Sequence, residues 1–253
     1  MSTILITGGT GALGTHIVDR LDDRGHDVRV LSRREGAGTH VGDLATGVGV
    51  DEAALGAELI VHAASDFRAF GRHDPDQTRA VLRAARDARH LLYVSIVGID
   101  RIPFRYYRRK LECEQLVADS GIPHTILRAT QFHELIASVL YPARWLPLVP
   151  LPLDFRFQTV ATGDVATRVA DLIEGDPVGR ADDFGGPEVR TLAELVEIWR
   201  AAHGGPRRAV RLPLPGRIAR AFRDGVNTCP EHADGVGTFA EFAARSSGNP
   251  YVR

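Results

Sequence analysis

The chain has 253 residues, 31 basic against 32 acidic side chains, and a formal net charge of −1. That length allows one large domain or a core with a small appendage, and a 44% share of hydrophobic residues is ample for a buried core. The balanced charge argues against a nucleic-acid or anionic-membrane surface as the main partner. No stretch approaches the roughly 18–20 apolar residues that a membrane span needs.

Cys113 and Cys229 make no disulfide framework and sit in no CxxC or Cys/His cluster. With no HExxH and no acidic cluster, no metal site is expected. The start MSTILITGG shows no basic segment followed by a long apolar run, so a reduced, cytoplasmic setting is the expectation. Of the 31 cationic side chains, 30 are arginine and one, Lys110, is lysine. Arginine does not substitute where a compact, titratable ammonium is required, so Lys110 is the first place to look for chemistry.

Residues 3–7 (TILIT) read as a β-branched strand running into Gly8-Gly9-Thr10-Gly11-Ala12-Leu13-Gly14. Leu13, Ile17, Val18 and Leu21 then recur at helical spacing as far as Gly25, and a second strand follows at 28–31. Strand, glycine turn, helix and strand within about thirty residues make a βαβ unit. Further buried strands are predicted at 59–63, 91–95 and 124–127, with helices near 77–86 and 107–120. This alternation predicts a doubly wound α/β parallel sheet, Rossmann-type, over 1–140. The stretch 141–154 (YPARWLPLVPLPLD) holds four prolines, which excludes a regular helix or central strand there. Beyond it, Thr191…Glu194 and Thr238…Glu241 are capping boxes that open two helices. We assign 141–253 to a smaller substrate-binding cap, some segments of which return to the core.

From Thr7 to Gly14 the sequence satisfies T-G-x-x-G-x-x-G. The turn must be tight, the backbone must approach a pyrophosphate, and the helix must pack close to the strand, so each demand excludes a β-carbon at one position. The helix N-terminus then offers N–H groups and a positive dipole end to phosphates. Thr7, Gly8, Thr10, Gly11, Ala12, Leu13 and Gly14 are therefore the expected dinucleotide contacts. At the end of the second strand, where an NAD site usually places a carboxylate for the ribose 2′-hydroxyl, this chain has Ser32, Arg33 and Arg34. Two guanidinium groups and a hydroxyl suit a 2′-phosphate and predict NADP(H).

At this point the sequence resembles the atypical short-chain dehydrogenase/reductases, and within them the NmrA-like NAD(P)H-binding proteins. The matching segments are TGGTGALG at 7–14, LSRR at 31–34, GDL at 42–44, HAAS at 62–65, YVSIVGID at 93–100, YYRRKLECE at 106–114 and GIPHTILRATQFHE at 121–134. The resemblance implies that Asp43, with Leu44 beside it, meets the adenine, and that Ala63, Ala64 and Ser65 line the adenosine ribose and phosphates. Turn capping by Asp43 and close packing by the alanines are the alternatives.

Tyr106 and Lys110 form a Y-x-x-x-K pair, and residues i and i+4 share a helix face. The resemblance implies that Lys110 holds the nicotinamide ribose and lowers the tyrosine pKa, that Tyr106 protonates the substrate oxygen, and that Ser95 hydrogen-bonds that oxygen. A nearby cation does favour a phenolate. Tyr106-Tyr107 as a structural aromatic pair is the alternative. The resemblance also puts Gln131, Phe132 and His133 at the substrate pocket, against a packed role for His133. Arg128 reads as a structural donor at a strand end. The expected activity is an NADPH-dependent reduction of a small apolar or aromatic carbonyl, quinone or enone. A cofactor-binding redox sensor without turnover, or a non-redox isomerase or cyclase, would use the same fold.

Overall fold

The structure, a computed structural model, describes residues 1–36, 38–143, 145–204 and 208–246, the Arg68 side chain excepted. The end of the expected cap, from 247, therefore lies outside the described residues.

In chain order the elements are β1 (Thr3–Thr7), α1 (Ala12–Asp23), β2 (Asp27–Ser32), β3 (Thr39–Val41), α2 (Val50–Ala54), β4 (Leu59–His62), α3 (Asp74–Ala84), β5 (His90–Ile96), α4 (Arg105–Ala118) and β6 (His124–Ala129). They continue with α5 (His133–Ala143), β7 (Leu148–Leu151), β8 (Arg156–Phe157), α6 (Thr162–Glu174), β9 (Gly179–Arg180), β10 (Arg190–Thr191), α7 (Leu192–His203), β11 (Arg208–Arg211), α8 (Arg217–Arg223) and α9 (Phe239–Arg245). Contacts divide them into two compact units. The first comprises Met1–Ile96, Phe104–Arg128 and Ala166–Asp182, and the second Val97–Pro103, Ala129–Val165 and Asp183–Arg253.

The first unit holds a seven-stranded Rossmann-like sheet in the order β3-β2-β1-β4-β5-β6-β9. Ile4, Leu5 and Ile6 of β1 and Leu59, Ile60 and Val61 of β4 are almost wholly buried, as expected of strands covered on both faces. β1 pairs in parallel with β2 and β4, setting Thr7 opposite Leu31 and His62. The chain order reverses at β1, which leaves a crevice beyond the strand C-termini where such folds take ligands. Below it, Leu5, Leu31, Ile60, Val81, Leu91, Tyr93, Cys113, Val117 and Ile126 form the core.

The expected strands and helices from 3 to 127 are all present, with boundaries within a few residues. β9 carries no such signal, being only two residues long. It reaches the sheet because Val169, Ala170 and Ile173 give α6 a buried stripe, while Arg24 grips Asp171 and Glu174 at 2.6 and 2.7 Å.

In the second unit, α5, α7 and α9 pack Ile136, Leu140, Leu195, Val196, Trp199 and Phe239 together. Both capping boxes form, with Glu194 N–H to Thr191 Oγ1 at 3.3 Å and Glu241 N–H to Thr238 Oγ1 at 3.2 Å. Contrary to the expectation of no helix there, α5 runs through Pro142 into the proline-rich stretch. The stretch also holds β7, which among the described residues pairs only with β11, an arrangement in which Pro150 withholds no hydrogen bond from a central sheet.

Candidate active site

The glycine turn after β1 is held by atoms that leave no room for side chains. A Cβ on Gly14 would stand 2.0 Å from the Gly8 carbonyl oxygen, and one on Gly8, whose φ is +76°, would stand 2.7 Å from the Ala64 nitrogen. The turn and the end of β4 thus touch, joined further by Ala63 N–H to Thr7 O at 3.1 Å. Thr10 and Gly11 are exposed and Ala12 half-buried, while Leu13 is buried. Gly11 caps α1 with no side-chain hydrogen bond, and no acidic residue occupies the helix's first turn. An open, positively polarised helix end of this kind fits a pyrophosphate.

Ser32 closes β2 by accepting the Arg34 N–H at 3.1 Å, and Arg33 and Arg34 stand exposed just beyond it. Among the described residues neither guanidinium has a carboxylate partner. Asp43 caps a turn, its Oδ1 accepting the Ala45 N–H at 2.9 Å, with Leu44 half-buried between them. That geometry is the turn role weighed above as the alternative to an adenine contact.

His62, at the end of β4, is buried with Nδ1 2.7 Å from Thr7 Oγ1 and Nε2 3.1 Å from Thr78 Oγ1. Burial, with the Lys110 charge second, pushes its pKa down to about 3. An unfolded histidine titrates near 6.5, so the neutral ring contributes stability that is complete above that pH. The contribution is lost progressively as pH falls through 6.5 towards 3, at about 1.4 kcal/mol per pH unit. Urea unfolding at pH 7 and pH 5 is expected to show a shallower loss in His62→Gln than in the wild type, and equal losses would refute the assignment.

Lys110 lies on α4 with only 4% of its surface exposed. Its Nζ donates to the Val94 carbonyl at 2.9 Å and sits 4.3 Å from the centre of the Tyr93 ring. Burial lowers its pKa, and the Asp74, Cys113 and Glu114 charges oppose that shift. The next residue along β5, Ser95, is buried, and among the described residues its Oγ has no hydrogen-bond partner. An orphaned buried hydroxyl is costly unless something is meant to meet it.

Tyr106, one helical turn before Lys110, is half-buried among Phe67, Phe104 and Tyr107. Since the Ser95 Oγ has no hydrogen bond, the serine that meets the phenol is Ser65, at 2.9 Å. Ser65 in turn donates to Asp74 Oδ2 at 2.6 Å. Neither Asp74 nor Gly71, against which the Tyr106 ring rests, was indicated by sequence; the only local hint is the acidic residue opening α3.

The remaining expected site residues belong to the second unit. Gln131 is buried and accepts from Asn227 Nδ2 at 3.0 Å. Phe132 is half-buried beside Val160. His133 packs against Phe239 and Phe242. Its Nε2 donates to the Gly237 carbonyl at 3.1 Å, and burial brings its pKa down to about 4. Arg128 forms a two-pronged, buried ion pair with Glu114 at 2.6–2.8 Å, the structural role expected of it.

Glycine turn, open helix end, paired arginines and a buried ammonium all fit a nicotinamide dinucleotide, and they define the first unit as a dinucleotide-binding Rossmann domain. A family profile described as NAD(P)H-binding matches residues 8–174. The chain is 33% identical over 243 residues to the (4-alkanoyl-5-oxo-2,5-dihydrofuran-3-yl)methyl phosphate reductase of Streptomyces griseus, covering 87% of this chain and 84% of that one. It is 27% identical over 207 residues to quinone oxidoreductase 2 of Escherichia coli, covering 76% and 71%. The solved NADPH complex of an Escherichia coli quinone oxidoreductase superposes with a TM-score of 0.75 at 20% identity, covering 95% of this chain and 98% of that one. The chain belongs to the NAD(P)H-binding family and is an NAD(P)H-dependent reductase of the short-chain dehydrogenase/reductase type. Among the described residues no helix is long and apolar enough to cross a membrane.

Proposed function

We propose that the chain uses NADPH to reduce a small apolar or aromatic carbonyl, quinone or enone, with Tyr106 as proton donor. NADPH, when bound, supplies a hydride. Thr7, Gly8, Thr10, Gly11, Ala12, Leu13 and Gly14 would hold its pyrophosphate, Ser32, Arg33 and Arg34 its 2′-phosphate, and Asp43, Leu44, Ala63, Ala64 and Ser65 its adenosine half. Lys110 would hold the nicotinamide ribose. Tyr106 gives its phenolic proton to the substrate oxygen, which takes up the charge, and Ser95 donates to the same oxygen to orient it.

The observation that carries this reading is the single lysine of the chain, buried one turn from Tyr106 and bonded to the carbonyl of Val94, the residue before Ser95, whose hydroxyl has no partner among the described residues. Phe67 and Phe70 are about half exposed on the loop that holds Ser65, and Phe67 lies edge-on to Tyr106. Their rings offer an apolar face for a planar acceptor. The names of the two relatives, a dihydrofuranone phosphate reductase and a quinone oxidoreductase, support a conjugated acceptor. Of Gln131, Phe132 and His133, only Phe132 keeps more than a trace of surface for a substrate. The 141–253 cap role is part of the same proposal.

The test follows NADPH and NADH oxidation across quinones, aldehydes, ketones and enones. Turnover with NADPH on at least one conjugated acceptor is expected. An anion held by two arginines loses about 1.5–3 kcal/mol per charge-assisted bond removed. Arg33→Ala/Arg34→Ala is therefore expected to weaken NADPH binding about 10²–10⁴-fold while leaving NADH binding unmoved. Equal loss for both nucleotides would reject the 2′-phosphate assignment.

A further inference from the structure

Asp74 is the buried end of a hydrogen-bond chain that reaches the Tyr106 hydroxyl, and nothing in the proposed chemistry so far uses it. It is 2% exposed. Its Oδ1 accepts the Asp66 N–H and its Oδ2 accepts the Ser65 Oγ–H, each at 2.6 Å. Its own N–H donates to the Gly71 carbonyl at 3.1 Å. These bonds close the loop 65–74 around Tyr106. Gly71, with φ at +68°, is the residue a Cβ cannot replace, since that atom would stand 2.8 Å from the tyrosine ring.

We propose that Asp74 is a positioning residue for the proton donor, orienting the Tyr106 hydroxyl through Ser65 and keeping it protonated in the resting enzyme. The inference rests on the reading of Tyr106 as the acid. Its physical basis is a count of protons. A serine hydroxyl has one proton and a carboxylate can only accept. With its proton committed to Asp74, Ser65 is left an acceptor towards Tyr106, so the phenol donates to Ser65 across the 2.9 Å contact. A phenol that donates into a chain ending on a carboxylate is stabilised in its neutral form. Lys110 on the same helix face pulls the other way, towards the phenolate. The opposing charges thus keep a proton on Tyr106 while leaving it transferable: when the substrate oxygen takes it, the phenolic O–H breaks, a substrate O–H forms, and the charge left on Tyr106 faces Lys110.

Other titratable groups lie on the elements packed around Tyr106. His62 is neutral well above its value of about 3. The buried Tyr93 phenol is pushed far up, chiefly by desolvation, and burial raises the Cys113 thiol. Asp66 and His73 are on the loop itself, 4.0 Å apart, and Arg105 and Arg109 are on the tyrosine's own helix. Asp74 is also the largest influence holding the Lys110 ammonium charged against desolvation.

Asp74→Asn reverses the chain. The amide oxygen stays on the Asp66 N–H and the amide nitrogen faces Ser65, which then accepts from it and donates to the Tyr106 oxygen, favouring the phenolate. The experiment is an ultraviolet titration of tyrosinate, with Tyr106 isolated by difference against Tyr106→Phe in each background, beside the pH profile of kcat/KM with NADPH and the best acceptor. In Asp74→Asn the Tyr106 titration and the basic limb of the profile are both expected about one pH unit or more lower than in wild type. Ser65→Ala, at an exposed position, cuts the link without removing the buried charge. It is expected to lower both by a smaller amount, and it carries the test if Asp74→Asn does not fold. A Tyr106 titration unmoved in the folded variants, in an enzyme that Tyr106→Phe inactivates, would overturn this inference alone. Full turnover by Tyr106→Phe would overturn the acid assignment and the positioning role together.

Discussion

Tyr106→Phe is expected to lower kcat by about 10²–10⁴-fold, the usual cost of removing a general acid, while leaving NADPH affinity and thermal stability close to those of the wild type. The phenylalanine keeps the ring that packs edge-on to Phe67 and Phe104, so only the proton donor is lost. Lys110→Met makes the complementary case. The buried ammonium has a carbonyl and an aromatic face around it, and the structure stabilises it less than water would, as its lowered pKa indicates. An apolar side chain of similar length removes that desolvation cost. The variant is therefore expected to melt no lower than the wild type and to lose both turnover and cofactor affinity. Stopped-flow turnover, fluorescence titration with NADPH and calorimetry separate these effects. A Tyr106→Phe enzyme with unchanged kcat would move the proton source elsewhere, and a strongly destabilised Lys110→Met would make the lysine a structural group.

The second large effect is on folding. Arg128 at the end of β6 and Glu114 on α4 are both nearly inaccessible, and two short bonds join them. Breaking a buried pair from one side leaves a charge without its counterion and costs about 3–5 kcal/mol. Arg128→Met is expected to lose that much, roughly 10 °C in melting temperature for a chain of this size. Replacing both partners, in Glu114→Leu/Arg128→Met, is expected to recover most of the loss, because two apolar side chains bury there without a desolvation penalty. Denaturant unfolding of the single and double variants closes the cycle. A double variant as unstable as the single one would mean that the site depends on the shape of the pair rather than on its charge.

The glycine turn was legible because its requirements are local: steric exclusion at Gly8 and Gly14 is built from atoms a few residues apart, plus the neighbouring strand. The same holds for the two capping boxes, which span four residues each, and for the Tyr106–Lys110 pair, whose shared face follows from helical pitch. The short strand β9 was not legible, since two residues carry no periodicity. Its place in the sheet follows from the apolar stripe of α6 and the hold of Arg24. Asp43 shows a different limit: one aspartate in a turn reads equally as a ligand contact or a cap, and the Ala45 bond shows the cap without bearing on the adenine contact.

By itself the sequence determined the class of the first unit, the glycine turn after β1, the arginines that follow the second strand and the helix face that Tyr106 shares with Lys110. Each is a matter of residue type at short spacing, where chain geometry leaves little freedom. The tertiary structure alone decided which serine meets Tyr106. Ser65 lies 41 positions away along the chain, whereas Ser95, only 11 before the tyrosine, has no hydroxyl partner among the described residues. It also brought Asp74 behind that serine. Such contacts depend on how β4, α3 and α4 pack, and packing is settled by the sum of many burials across the core, which no short stretch of sequence records.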